Sequence, residues 1–435
     1  MNNSALIFSL EKKNFYSITP LVASIDQNEK LDGFDILLES DVDSKKIQSY
    51  LERYDKVIFA FSFRTAQLEK IYSSMDDLYS NLKTQDLNKI IFVAGGSHPT
   101  GDPLSTLRLG FDYAFIGEGE LSFSLFLEKW LNNDKLETTP GIAYLAEDKE
   151  KLIVNPSPPQ IKLDDYPMIS RQRKLFPPLE ITRGCSFGCA FCQVPSIFNK
   201  KTRHRSPDVI LETVQWMAKH KLDDIRFITP NSFGYLSQKP KETNEEEIID
   251  LLTKIKNTDG IKRVFFGTFP GEVRPETVTQ SIMTKLKKIV SNKKIAIGLQ
   301  SGSDKILRMY HRGHSVEEGL RAIKYIRDAG FIPIVDFIFG LPDATEADEF
   351  QSIEVIKSLS KIGSKIRAHV FMPLPGSKLA NAPVGKTSKK IRKELGKLSK
   401  QGVIEGNWTH QEKYAEETWK IIQKINSLSI IRKRG

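Results

Sequence analysis

All three cysteines of this 435-residue chain fall inside one stretch of eight residues, as Cys185, Cys189 and Cys192. They follow a strand-like run at 179–182 with the spacing C-x3-C-x2-C, which places them on a loop rather than along a helix face. So few cysteines, so close together, exclude a disulfide framework and point to a metal centre. A structural zinc usually takes four ligands, and no fourth cysteine exists, so an all-cysteine zinc site is excluded; three cysteines with the nearby His204 remain open. An iron–sulfur cluster also normally asks for four thiolates, so three would leave one iron open to an outside ligand.

The segments around this loop alternate between strand and helix patterns. Strands are expected at 5–10, 34–38, 57–62, 89–94 and 113–116, with helices at 20–28, 44–54 and 66–82 between the first four. This predicts a doubly wound, Rossmann-like α/β domain whose ligand crevice lies beyond the carboxyl ends of the strands. A hairpin at 142–145 and 151–154 and a proline-bearing linker follow. A second alternation has strands at 179–182, 224–228, 263–267, 294–300, 332–339 and 366–371, and helices at 209–219, 245–255, 278–289, 316–329 and 348–361. It predicts a partial (βα)6 TIM-like barrel with its chemistry at the C-terminal strand ends. The expected divisions are 1–139, 140–178, 179–380 and 381–435. The last reads as a basic, helical surface appendage that Trp408 and Trp419 pack onto the barrel, helical over 386–428.

The phrase Arg183-Gly184-Cys185-Ser186-Phe187-Gly188-Cys189-Ala190-Phe191-Cys192, after the first strand of a βα barrel, resembles the radical S-adenosylmethionine (SAM) superfamily. The resemblance implies that Cys185, Cys189 and Cys192 hold a catalytic 4Fe-4S cluster whose fourth iron takes the amino and carboxylate groups of SAM. One electron would then cleave the sulfonium and give a 5′-deoxyadenosyl radical. By position, the resemblance also implies SAM contacts from Phe191, Asn231, Thr268, Glu272, Arg274, Gln300 (within Gly298-Leu299-Gln300-Ser301-Gly302-Ser303) and Phe339. The run Arg308–His314 resembles one that often follows this last turn in the family, and its histidines are read as structural.

Three phrases at strand ends of the first domain, Phe61-Ser62-Phe63-Arg64-Thr65, Gly95-Gly96-Ser97-His98-Pro99-Thr100 and Gly117-Glu118-Gly119-Glu120, resemble the cobalamin-binding domain of cobalamin-dependent radical enzymes. That implies cobalamin contacts from Ser62, Thr65, Gly95, Gly96, His98, Gly117, Glu118 and Gly119. The D-x-H-x-x-G phrase that brings a histidine to cobalt in many cobalamin proteins is absent from 10–16, which implies an open or water-ligated lower face. Methylthiotransferases share the barrel, but they carry three further cysteines in the first domain, and this chain has none there.

Together the two likenesses imply a class B radical SAM methylase: a cobalamin-dependent methyltransferase that uses the radical and methylcobalamin, over the barrel mouth, to methylate an unactivated carbon. The substrate would be a protein residue or an acidic molecule. The alternatives are an oxidative ring-former, a methylthiotransferase-like RNA modifier, or a zinc-stabilised nucleic-acid-binding protein using His204. The formal charge of +10 suits anionic partners without naming one, and nucleic acid is not favoured. An external flavodoxin- or ferredoxin-like electron donor is implied. With 40% hydrophobic and 27% charged residues the composition is that of a folded protein. No apolar run approaches the roughly 20 residues of a membrane helix, and no signal-peptide pattern opens the chain, so no membrane partner and a cytoplasmic location are expected.

Overall fold

The computed structural model describes residues 4–427 other than 33, 41, 147–150 and 407. Two compact units emerge: Met1–Pro177 with Leu374–Ser377 and Glu416–Gly435, and Pro178–Pro373 with Lys378–Ala415.

In the first unit the elements run β1 (Ser4–Ser9), α1 (Phe15–Asp26), β2 (Asp35–Glu39), α2 (Ser44–Leu51), β3 (Lys56–Ser62), α3 (Leu68–Asn81), α4 (Thr84–Leu87) and β4 (Ile90–Gly95). They continue as α5 (Ser97–Gly101), α6 (Pro103–Arg108), β5 (Tyr113–Phe115), α7 (Gly119–Leu131), β6 (Ile142–Leu145) and β7 (Leu152–Val154). The sheet order is β2-β1-β3-β4-β5-β6-β7, parallel as far as β5. Strands β1 and β3 are apolar on both faces because helices cover both. Ile7, Phe59 and Phe92 lie in one core, and Leu6, Phe8, Ile58 and Phe126 in the other. The hairpin β6–β7 pairs antiparallel with β5, so it extends this sheet instead of standing apart in a linker. Helix α1 starts before the expected residue 20: burial of Ile18 and Thr19 carries the helix upstream, and Pro20 lies inside it.

The second unit runs β8 (Leu179–Glu180), β9 (Thr182–Arg183), α8 (Val194–Ile197), β10 (Arg203–His204), α9 (Pro207–Lys219), β11 (Asp224–Ile228), α10 (Glu245–Lys256), β12 (Arg263–Phe265), α11 (Gln280–Leu286) and β13 (Lys294–Gln300). Then come α12 (Asp304–Met309), α13 (Val316–Asp328), β14 (Ile332–Phe339), α14 (Glu346–Lys361), β15 (Lys365–Val370), α15 (Lys389–Lys400), β16 (Ile404–Glu405) and the start of α16 (Trp408–Ser427), whose later part, from Glu416, belongs to the first unit, where Ile425 joins its core. Parallel sheets β12-β11-β8 and β13-β14-β15-β16 are joined by a parallel bridge from Val273 to Ile297, which makes one curved wall. Capping boxes at Ser315 and Thr345 fix the starts of α13 and α14.

The C-terminal segment is helical, but it is not a surface appendage. Helix α15 buries Ile391, Leu395 and Leu398, and β16 pairs with β15 through Ile366–Ile404 and Arg367–Glu405, so the segment adds a further strand to the barrel wall. Its basic face is partly neutralised: Lys390, Arg392 and Lys397 are ion-paired with Glu346, Glu412 and Glu394. Trp408 is buried as expected, whereas Trp419 is 45% exposed. The reading of residues 428–435 lies outside the described residues.

Candidate functional site

The cysteine loop leaves β9 through Gly184, whose φ of +82° favours glycine and where a Cβ would strike the Lys201 carbonyl. The loop is held by Ala190 N–H donating to the Tyr310 carbonyl (3.1 Å) and Cys192 N–H to that of Cys189 (3.1 Å). Cys189 is buried, while Cys185 and Cys192 are partly open. Two buried arginines converge on Cys189. Arg312 donates from Nη1 to Sγ (3.3 Å) and from Nη2 to the Gly298 carbonyl (2.7 Å); Arg274 donates from Nη1 to the same Sγ (3.7 Å) and from Nη2 to the Arg312 carbonyl. The Arg274 guanidinium stacks on Phe187 at 3.4 Å, and that of Arg312 lies 5.9 Å from Phe191.

These contacts make the thiols unequal. Burial alone would raise the pKa of Cys189, but Arg312 and Arg274 outweigh it and hold the thiol below its ordinary value. Burial raises Cys185, and burial with its thiol neighbours pushes Cys192 up to about 11. Burial, then the same two arginines, push His314 down to about 3.

The charge balance around the loop tests whether a cluster fits. Arg274 has a carboxylate, Glu276, at 2.6 Å, whereas no carboxylate among the described residues lies within ion-pair distance of Arg312, and its Nε has no partner. A buried guanidinium without a counter-charge is costly, and an anionic group on the adjacent thiolates removes that cost. Among the described residues no group of three or more His, Cys, Asp or Glu side chains is arranged to hold a single metal ion as it stands, the three cysteines included. His204, the fourth ligand of the zinc alternative, instead hydrogen-bonds Thr182 Oγ1 (2.9 Å) and the Leu236 N–H (3.4 Å) through Nδ1. Three free thiols beside a buried guanidinium that lacks a counter-charge are compatible with an anionic iron–sulfur cluster, in which each sulfur would serve a different iron.

The other residues expected at SAM spread along the C-terminal ends of the strands. Asn231 Oδ1 accepts from the Arg274 N–H (3.1 Å) and Thr277 Oγ1 (3.3 Å), tying the exit of β11 to residues 274–277. Gln300 has φ +77° where the β13–β14 register slips, and Thr268 and Phe191 are half-buried. Phe339 is buried on the outer face of β14, so Ile338, on the opposite face, is the half-exposed residue there; Phe339 forms no cavity wall. Arg274 is aimed at Cys189 rather than outward.

Glu272 belongs to a constellation the sequence reading missed. Arg367 joins Glu272 (2.5 Å) to Asp336 (2.5 Å), and His369 Nε2 lies 3.7 Å from Asp336. Register places Asp336 beside Arg367 and Gly298, so these side chains share the inner face with a glycine gap between them. Burial would raise the Asp336 carboxyl, yet His369 and Arg367 hold it below its usual range; burial, then Asp336, raise Glu272. The alternating Lys365, Arg367 and His369 of β15 and the lone Asp336 in otherwise apolar β14 were the available signal.

In the first unit the order 2-1-3-4-5 sets the topological switch point between β1 and β3. Ser62 lies there, its hydroxyl 2.8 Å from that of Ser17, and Asn14 Nδ2 donates to the Ser9 and Ser62 carbonyls (2.8 and 3.0 Å). Gly95, Gly96, Gly117, Glu118 and Gly119 form the half-buried exits of β4 and β5, and α7 starts at Gly119. This polar, glycine-bearing edge fits a large planar cofactor. His98 and Thr65 do not open onto it. His98 is fully buried, with Nδ1 3.1 Å from Thr65 Oγ1 and Nε2 3.1 Å from Ser105 Oγ, and burial pushes it down to about 4. Both residues brace the exits of β3 and β4 from beneath.

Comparison with known proteins agrees with this arrangement. The family model of the B12 binding domain matches residues 23–127, and that of the Radical SAM superfamily matches 179–372. A tRNA-2-methylthio-N(6)-dimethylallyladenosine synthase of Sulfurihydrogenibium sp. is 27% identical over 61% of this chain, which spans about 60% of that relative's length. The radical SAM methyltransferase TsrM of Kitasatospora setae, solved with cobalamin and a [4Fe-4S] cluster, shares the fold at TM-score 0.65 and 12% identity, over 87% of this chain and 74% of that one. The cobalamin-dependent SAM radical enzyme OxsB, solved with aqua-cobalamin, does so at TM-score 0.66 and 17% identity, over 97% and 56%. Radical SAM domains work with a 4Fe-4S cluster and SAM, and B12-binding domains with cobalamin. The chain thus carries a B12-binding domain ahead of a radical SAM domain, the arrangement of cobalamin-binding domain/radical SAM domain proteins.

Proposed function

We propose that this enzyme transfers a methyl group to an unactivated carbon. One observation carries the choice: a B12-binding domain precedes the barrel, and no cysteine lies outside the loop at 185–192 to hold a second cluster. When bound, the cluster with SAM supplies reductive sulfonium cleavage, and cobalamin supplies a methyl carrier. Cys185, Cys189 and Cys192 would hold the cluster. Ser62, Gly95, Gly96, Gly117, Glu118 and Gly119 would hold cobalamin, with Thr65 and His98 supporting them from beneath. Asn231, Thr268, Gln300 and Phe191 would position SAM. Ile338, Tyr310 and Phe371 pack beside the loop and would keep water from the reacting atoms. Glu272, Asp336, Arg367 and His369 would orient the polar part of the substrate, a protein residue or an acidic molecule. An external low-potential flavodoxin- or ferredoxin-like protein would supply electrons, in a reducing cytoplasm.

A second reading, methylthio transfer to tRNA, draws on the name of the curated relative. Turnover with methyl-deuterated SAM and extracts fractionated into protein, RNA and small molecules separates the two. A trideuteromethyl group on carbon supports the proposal. Label found only in thioether form, or deoxyadenosine without labelled product, overturns it. Among the described residues no helix is long and apolar enough to cross a membrane.

A further inference from the structure

We propose that Arg312 is the buried counter-charge that sets the reduction potential of the cluster, and that Glu276 limits how much Arg274 adds to it. This rests on the reading of Cys185, Cys189 and Cys192 as cluster ligands. Among the described residues only Cys189 of the three sulfurs receives side-chain hydrogen bonds, and it receives two, from Arg312 at 3.3 Å and Arg274 at 3.7 Å. Both arginines are 6% exposed as residues, so solvent screens neither well.

Their charges are not equivalent. Arg274 Nε is paired with Glu276 at 2.6 Å, and the two side chains are 7% and 2% exposed, so a carboxylate offsets this cation where it stands. Among the described residues Arg312 has no carboxylate partner, and its guanidinium donates to the Cys189 sulfur and the Gly298 carbonyl. Reduction adds one negative charge to the cluster. A fixed cation and N–H donors on a ligand sulfur stabilise the reduced form more than the oxidised one, and so raise the potential. Arg312 therefore delivers its full charge, and Arg274 mainly positions the loop through Phe187 and the Arg312 carbonyl.

The two kinds of residue act in opposite directions, which a merely structural role would not produce. Removing Arg312 lowers the potential, while removing the Glu276 charge uncovers Arg274 and raises it. The test is an EPR-monitored redox titration, without SAM, of the full-length chain reconstituted anaerobically with ferrous iron and sulfide. At the poise that half-reduces the wild type, Arg312→Gln is expected to lower the reduced-to-oxidised ratio about tenfold, or about 59 mV for one electron. Arg312→Lys keeps the charge and should stay within about threefold, and Glu276→Gln should raise the ratio about threefold. Iron and sulfide content is measured for each protein. If Arg312→Gln fails to load, Glu276→Gln alone decides: a raised ratio supports the proposal. An unchanged or lowered ratio in a fully loaded Glu276→Gln protein overturns it, as does an unchanged ratio in loaded Arg312→Gln. A wild-type chain that takes up no iron and sulfide refutes the cluster reading instead.

Discussion

Replacing Gly96 by alanine is expected to destabilise the first unit severely, while the same change one residue earlier does little. Gly96 sits at φ +99° and ψ −169°, a region essentially reserved for glycine, where another residue costs about 1–3 kcal/mol. An added Cβ would also stand 2.8 Å from the Phe63 carbonyl oxygen and 3.0 Å from the Phe63 nitrogen. That backbone cannot simply move, because Phe63 N–H donates to the Gly95 carbonyl (3.0 Å) and the Phe63 carbonyl accepts from His98 N–H (3.3 Å). Relieving the clash adds about 1–2 kcal/mol, for a total of about 2–5 kcal/mol. At Gly95 the nearest atom to a new Cβ is Phe115 Cβ at 3.8 Å, an ordinary contact, so alanine there should change stability by less than about 1 kcal/mol. Urea unfolding of the full-length chain, followed by circular dichroism, measures both, with retained hydroxocobalamin as a second readout. Gly96→Ala should lower the midpoint of the first unit and lose corrinoid, and Gly95→Ala should keep its midpoint. Equal stability of the two variants would refute the reasoning.

Removing the positive centre of the inner-face cluster by Arg367→Met leaves Asp336, with 5% of its side chain exposed, without its main partner. Stranding a buried carboxylate costs about 3–5 kcal/mol, reduced to about 2–4 here because Arg367 and Glu272 are partly open; urea unfolding at pH 7 should show it, and a loss below about 1 kcal/mol would contradict it. The Asp336 pKa is depressed by its partners, so this contribution is present above the unfolded value and fades as pH falls through the folded one. Burial holds His98 at about 4 against 6.5, so the folded state resists a proton that the unfolded chain accepts. Its contribution is complete above pH 6.5 and lost on going down toward pH 4, about 2 kcal/mol being gone at pH 5. Between pH 7.5 and 5 the wild type should lose about 2 kcal/mol more stability than His98→Gln, and identical losses would exclude this role.

The two βα alternations were legible because strands covered on both faces are apolar from end to end, as in Leu6–Phe8 and Val57–Phe61, and helices with one buried stripe are not. The cysteine loop was legible from spacing alone. Boundaries blurred where tertiary burial overrode a local signal. Pro20 reads as a helix start, yet α1 begins five residues earlier because its upstream face is buried. The two-residue strand β16 carries too short a pattern to show beside a lysine-rich helix, so the last strand of the wall was invisible. Site residues divide in the same way. Ser62 and the glycines could be placed at strand exits because such exits have signatures, whereas the burial of His98 was not legible, because a polar residue in such a phrase looks the same whether it faces out or in. Arg312 was read only as part of a family-like run, since nothing in a sequence tells a buried arginine from a solvated one.

Whether one chain holds both a cluster and a corrinoid and uses them together can be measured by anaerobic reconstitution with iron, sulfide and hydroxocobalamin. After desalting, the protein is reduced with SAM present, and iron, corrinoid and 5′-deoxyadenosine are assayed. The expected result is about four irons per chain, stoichiometric corrinoid, and deoxyadenosine that disappears when Cys189 is replaced by alanine. Zinc in place of iron, or deoxyadenosine formed by a protein that retains no corrinoid, would contradict it.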